Sequence, residues 1–83
     1  MDASDVHLIM RWMLACSGKS RTQVTREVGM SENWLGECFR KRSVPSLLSF
    51  VGLADACGFR VEIADRKGTV VATLDQHGPV KFH

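Results

Sequence analysis

The sequence predicts an α+β fold: a small helical bundle with a helix-turn-helix (four to five short helices), followed by a C-terminal β-hairpin. Three observations lead there. Apolar residues recur at helical spacing as far as Gly58. Serines and glycines punctuate that stretch where caps and stops belong. From Phe59 onward the apolar period shortens to two and the residues become β-branched. The chain divides on this basis into a helical part, 1–58, and a hairpin with its tail, 59–83, both in one compact domain.

The first helix is expected to start at a Ser4 cap. It puts Val6, Ile9, Met10, Met13 and Leu14 on one face, and Ser17-Gly18 ends it. Ser20 opens a second, shorter helix, with Gln23 three residues on as a capping box requires. Val24 and Val28 face inward, and Gly29 stops this helix because the turn there needs positive φ. Only Gly29 and Met30 separate it from the next cap, Ser31. The third helix, 31–41, carries Trp34, Leu35, Cys38 and Phe39 on or near its buried side, leaving Glu32, Asn33, Gly36, Glu37 and Arg40 outside. Pro45 excludes helix from the residue before it. Ser46 then caps a fourth helix through Leu47, Phe50, Val51, Leu53 and Ala54, and Gly58 closes it.

In the last third, Val61 and Ile63 alternate with Arg60 and Glu62. Asp65-Arg66-Lys67-Gly68 is a turn signal, and Thr69 to Leu74 is a second strand. Val70, Ala72 and Leu74 are expected to pack on the helices, with Val71 exposed. Val80-Lys81-Phe82 reads as a frayed tail rather than a third strand, because Gly78-Pro79 precedes it.

Eighty-three residues make one domain with a small core. With 45% hydrophobic and 24% charged residues, wholesale disorder is excluded. The net charge of +2 is a weak argument by itself, but its distribution is uneven. From Lys19 to Arg42 there are six basic residues (Lys19, Arg21, Arg26, Arg40, Lys41, Arg42) against three acidic ones. The three cysteines include no CxxC pair, which speaks against a disulfide framework or zinc finger and for a reducing, cytoplasmic setting. Cys16, Cys38 and Cys57 all fall on apolar helix faces. No spacing of cysteine with His7, His77 and His83 fits a metal site, so no metal or other cofactor is expected. His7 reads as a half-buried helix residue. The start of the chain carries aspartates where a secretion signal carries basic residues, and its apolar stretch is too short to span a bilayer. No paired carboxylates, nucleophile motif or phosphate loop point to an enzyme.

Two short helices joined by a glycine turn, the second with a polar outer face, have the geometry that places a helix in the DNA major groove. The pair needs apolar residues where its helices touch, and Val24, Val28, Met30, Leu35 and Cys38 supply them in order around Gly29. Residues 20–58, with the run Val24-x-x-x-Val28-Gly29-Met30-Ser31, Leu35, the basic loop and Pro45-Ser46, resemble the Cro/repressor (lambda-repressor-like, XRE-type) helix-turn-helix family. Thr25 stands where that family usually has alanine, and Gly36 is unusual inside the reading helix.

The resemblance implies a cytoplasmic transcriptional regulator, usually a homodimer on a near-palindromic operator, of phage, plasmid or toxin–antitoxin type. It implies base contacts from Glu32, Asn33 and Glu37, with Gly36 on the same face, and phosphate contacts from Ser20, Arg21 and Ser31. The chemistry of these side chains agrees. Asn33 can pair with adenine, and a glutamate can accept from cytosine. Arg40, Lys41 and Arg42 are suited to the phosphate backbone. Trp34 reads as packing rather than contact. The resemblance further implies that the hairpin builds a dimer. Physically, a lone hairpin leaves unpaired edges and an exposed Val71, which a second copy would cover through Val70, Val71, Ala72 and Thr73. Two alternatives remain open: a protein-interaction module on the same scaffold that no longer binds DNA, and an antitoxin that also holds a toxin partner.

Overall fold

The computed structural model describes all residues, Met1–His83. Four helices precede a three-stranded sheet: α1 (Ala3–Ser17), α2 (Arg21–Val28), α3 (Trp34–Lys41), α4 (Leu47–Ala56), β1 (Val61–Ala64), β2 (Val70–Leu74) and β3 (Lys81–Phe82). This is the α+β class the sequence predicts, with four helices.

Local chemistry sets most boundaries. Ser20 and Ser46 accept from the backbone N–H of Gln23 and Ser49, satisfying donors that the first turns of α2 and α4 leave free. At Ser20 the serine half of the box forms, and no return bond from the Gln23 side chain accompanies it. α1 is capped by Asp2, not Ser4. Asp2 accepts from the Asp5 N–H while the Asp5 carboxylate accepts from the Asp2 N–H, a reciprocal box that also sets negative charge at the positive end of the helix dipole. Gly29 ends α2 at φ 87°, and the carbonyl of Thr25 accepts from the N–H of both Gly29 and Met30.

The third helix corrects the expected boundary. Ser31 does not cap it. Its carbonyl accepts from Trp34 N–H in a turn through Glu32 and Asn33, and α3 begins at Trp34 with no side-chain cap. The connection from α2 therefore spans residues 29–33 and carries Glu32 and Asn33 ahead of the helix.

Met10, Met13, Val24, Val28, Leu35, Cys38, Leu53, Ala54 and Cys57 form the buried core, so every helix contributes. Ile9, Met30 and Leu47 lie outside it and are exposed, as is Cys16. Thr25 is 1% exposed, and its hydroxyl has no hydrogen-bond partner. Lys19 does not belong to the outward basic surface. It pairs with Glu27 at 2.9 Å and donates at 2.8 Å to the Ala56 carbonyl, where a cation suits the end of α4.

The sheet is an antiparallel meander in the order β1-β2-β3. Asp65 organises the first turn by accepting from the N–H of Lys67 and Thr69. Val61 packs on the helical core, while Ile63, nearer the turn and just before a register shift, is exposed. As expected, Ala72 is buried, Val70 and Leu74 are half-buried and Val71 is exposed. The C-terminal segment is a strand rather than a frayed tail: Phe82 pairs with Ala72 and Lys81 with Thr73. His83 extends it, donating its backbone N–H to the Val71 carbonyl, and its ring Nε2 lies 2.7 Å from Thr73 Oγ1. β2 is thus the central strand. Backbone pairing of Val70–Thr73 with a second copy has no free edge to use, and the free edges belong to β1 and β3. Gln76, just after β2, ties sheet to helices by donating to the Val28 carbonyl at 2.9 Å and to Asp55 through its backbone N–H. No helix is long and apolar enough to cross a membrane.

Candidate functional site

The buried side of α3, Leu35 and Cys38 with half-buried Trp34 and Phe39, fixes which way the helix faces. The opposite side carries the residues singled out in the sequence. Glu32, Asn33, Gly36 and Glu37 line one shallow concavity of about 370 Å³, together with Leu35, Arg21 from the start of α2 and Arg40 from the last turn of α3. Two kinds of group meet here: the amide and carboxylates of Asn33, Glu32 and Glu37, and the guanidinium groups of Arg21 and Arg40. Gly36 leaves the floor bare. A Cβ built there meets nothing within 4 Å, so nothing inside the chain requires glycine at this helical position.

Glu37 is held by its own helix. Its carboxylate lies 2.9 Å from Lys41 Nζ and 2.6 Å from Arg40 Nη2. These partners, Lys41 first and Arg40 second, hold the carboxyl below the usual range for glutamate. The arrangement partly neutralises both cations and points Glu37 toward them.

The remaining candidates lie around this concavity rather than in it. Ser20 spends its hydroxyl on the α2 cap, and Ser31 is exposed in the turn. Arg42 ends α3 in the left-handed region at φ 52°, the one non-glycine residue in the chain to do so. A side chain there costs about 1 kcal/mol or more relative to glycine. A cation kept at a position that favours glycine is a local expense with no compensating ion pair of its own.

Three residues join the site that the sequence does not assign to it, and one of them, His7, is buried rather than half-buried. Phe39 presents its ring to two guanidinium groups, Arg11 of α1 at 4.0 Å and Arg21 at 5.1 Å from the centroid. His7 meets the same ring edge-on at 5.3 Å, and its Nε2 lies 2.7 Å from the Ser43 carbonyl. A second concavity of about 370 Å³ beside them is lined by Ser4, His7, Arg11, Phe39 and Arg42. The basic surface therefore continues from α3 onto α1. The one sequence signal was the i, i+4 spacing of His7 and Arg11, which sets both on one side of α1.

Comparison of the chain with family models, with curated proteins and with solved structures finds no match in any of the three.

Proposed function

We propose that the chain binds double-stranded DNA in a sequence-specific way, as a transcriptional regulator that presents α3 and the turn before it to the major groove. One observation carries this reading. Groups able to read base edges, Asn33 and Glu32 in the turn before α3 and Glu37 in its first turn, line one concavity with Arg21 and Arg40, at the second helix of a glycine-turned pair. Base edges need hydrogen-bonding side chains, and the flanking phosphates need cations. This surface offers both. Arg11, Lys41 and Arg42 extend the cationic rim. The resemblance of residues 20–58 to the Cro/repressor family agrees with the reading, and three free cysteines fit the reducing setting such a regulator works in. A homodimer would set two such helices about 34 Å apart, one turn of DNA.

The experiment is fluorescence anisotropy with a random-sequence duplex, titrated at several salt concentrations. Binding that weakens steeply with salt is expected. Changing Arg40 and Lys41 together to glutamate should abolish binding to every sequence. Absence of binding at low salt removes the DNA reading and leaves the surface to a protein partner, for which the two carboxylates of Glu32 and Glu37 are the favouring feature.

A further inference from the structure

Phe39 is the point where side chains of three helices meet. It belongs to α3 and is half-buried. Arg11 of α1 lies 4.0 Å and Arg21 of α2 5.1 Å from its ring centroid, and His7 of α1 meets the ring edge-on at 5.3 Å. A ring face attracts a cation, but two cations drawn to one ring repel each other. An anion would relieve that repulsion, and the chain supplies none. It pairs Lys19, Arg40, Lys41 and Arg60 with carboxylates and leaves Arg11 and Arg21 without one.

The hollow beside this ring has the same character. Its polar lining is Ser4, His7, Arg11 and Arg42, and no carboxylate lines it. Asp2 and Asp5 each accept from the other's backbone N–H and stay outside it. Arg42, like Arg11, has no ion pair. His7 ties α1 to the segment after α3. Its Nε2 lies 2.7 Å from the Ser43 carbonyl, and a carbonyl only accepts, so Nε2 carries the hydrogen. The α3 concavity differs, because Glu32 and Glu37 line it with Arg21 and Arg40. A surface that mixes acceptors with cations suits base edges, and one that offers cations without carboxylates suits phosphate. The two are contiguous: Arg21 lines the first and rests on the ring that lines the second.

We propose that this hollow is a second subsite for a DNA backbone phosphate, contacted by Arg11 and Arg42, and that Phe39 is the residue that positions Arg11 and Arg21 for the backbone. The proposal rests on the DNA-binding reading above. A free arginine side chain must be ordered when it binds, and each one ordered costs affinity. A guanidinium already resting on a ring has given up part of that freedom before the phosphate arrives. The phosphate then supplies the negative charge that the two arginines lack. A phosphate of the bound duplex is favoured over a free phosphate ion, because Arg21, itself suited to the backbone, sits on the ring that walls the hollow.

The test is the anisotropy titration with a random-sequence duplex, run at several salt concentrations on variants of the full chain. Arg11→Ala, exposed and outside the α3 concavity, should lower the salt slope by about one, as loss of one phosphate contact does. Phe39→Leu keeps an apolar side chain and every charge. It should weaken binding by about two- to tenfold with the slope retained, and Phe39→Tyr, which keeps a ring, should hold the native affinity. In a chain already carrying Arg11→Ala and Arg21→Ala, Phe39→Leu should change nothing further, whereas a loss acting through the fold would persist. Inorganic phosphate at matched ionic strength should displace the duplex no better than chloride. An Arg11→Ala slope equal to the native one overturns the subsite and leaves binding through α3 standing. A Phe39→Leu effect that is absent, or that persists without the two arginines, overturns the positioning role. Displacement specific to phosphate and removed by Arg11→Ala overturns the backbone contact in favour of a free anion. A native chain that binds no duplex at low salt removes the proposal together with the reading it rests on.

Discussion

Thr25 shows what a single side chain can cost. It is enclosed between the core of α2 and its neighbours, and its hydroxyl oxygen bonds to nothing. An unsatisfied buried hydroxyl is penalised by roughly 1–3 kcal/mol. Valine has the same shape without the polar atom. Thr25→Val is therefore expected to stabilise the fold by about 1 kcal/mol, raising the midpoint of thermal unfolding by about 4–8 °C for a domain of this size. A lower midpoint would mean that the hydroxyl finds a partner. Glu37 makes a different point, about charge. Its carboxyl titrates below the unfolded value of 4.5, because Lys41 and Arg40 favour the ionised form. A depressed folded value gives stability that is present above the unfolded value and lost as pH falls through the folded one. The advantage of the native chain over Glu37→Gln in urea should accordingly shrink on going from neutral pH to below 4.5. It will be small throughout, because the pair is on the surface. The same variant releases Lys41 and Arg40 toward phosphate, so affinity for a random duplex should rise severalfold in the anisotropy titration.

At the scale of the element, α3 is the informative case. Its helical interior contains Gly36, which costs roughly 1 kcal/mol relative to alanine. The open space above it means that no internal contact asks for that cost. Gly36→Ala should therefore stabilise the fold by about that amount. If a DNA groove comes close to the helix there, the added methyl should also weaken binding to a preferred site selected from random duplexes. Tighter or unchanged binding would show that the approach is not close. The elements also show which signals a sequence carries. The caps at Ser20 and Ser46 and the stop at Gly29 were legible because each is a local bond between neighbours. The start of α3 was not, since Ser31 uses its carbonyl rather than its hydroxyl, and the two uses look alike in sequence. β3 was misjudged for another reason. Its bonds run to Ala72 and Thr73, and a proline before it says nothing about a partner ten residues away. The polar face of α3 could be read from helical period alone. Arg11 and His7 could not, because their place beside Phe39 follows from how α1 crosses α3.

For the whole molecule, the cationic rim around the α3 concavity makes a prediction about salt. A protein that neutralises a number of phosphates loses affinity with a logarithmic slope close to that number, about 0.9 for each. Arg21, Arg40, Lys41 and Arg42 on one copy correspond to a slope of roughly 3 to 4, and two copies on one operator to roughly 7. Arg42→Ala should lower the slope of a single copy by about one and act on all sequences alike, whereas Asn33→Ala should leave the slope unchanged and reduce only the preference for a selected site.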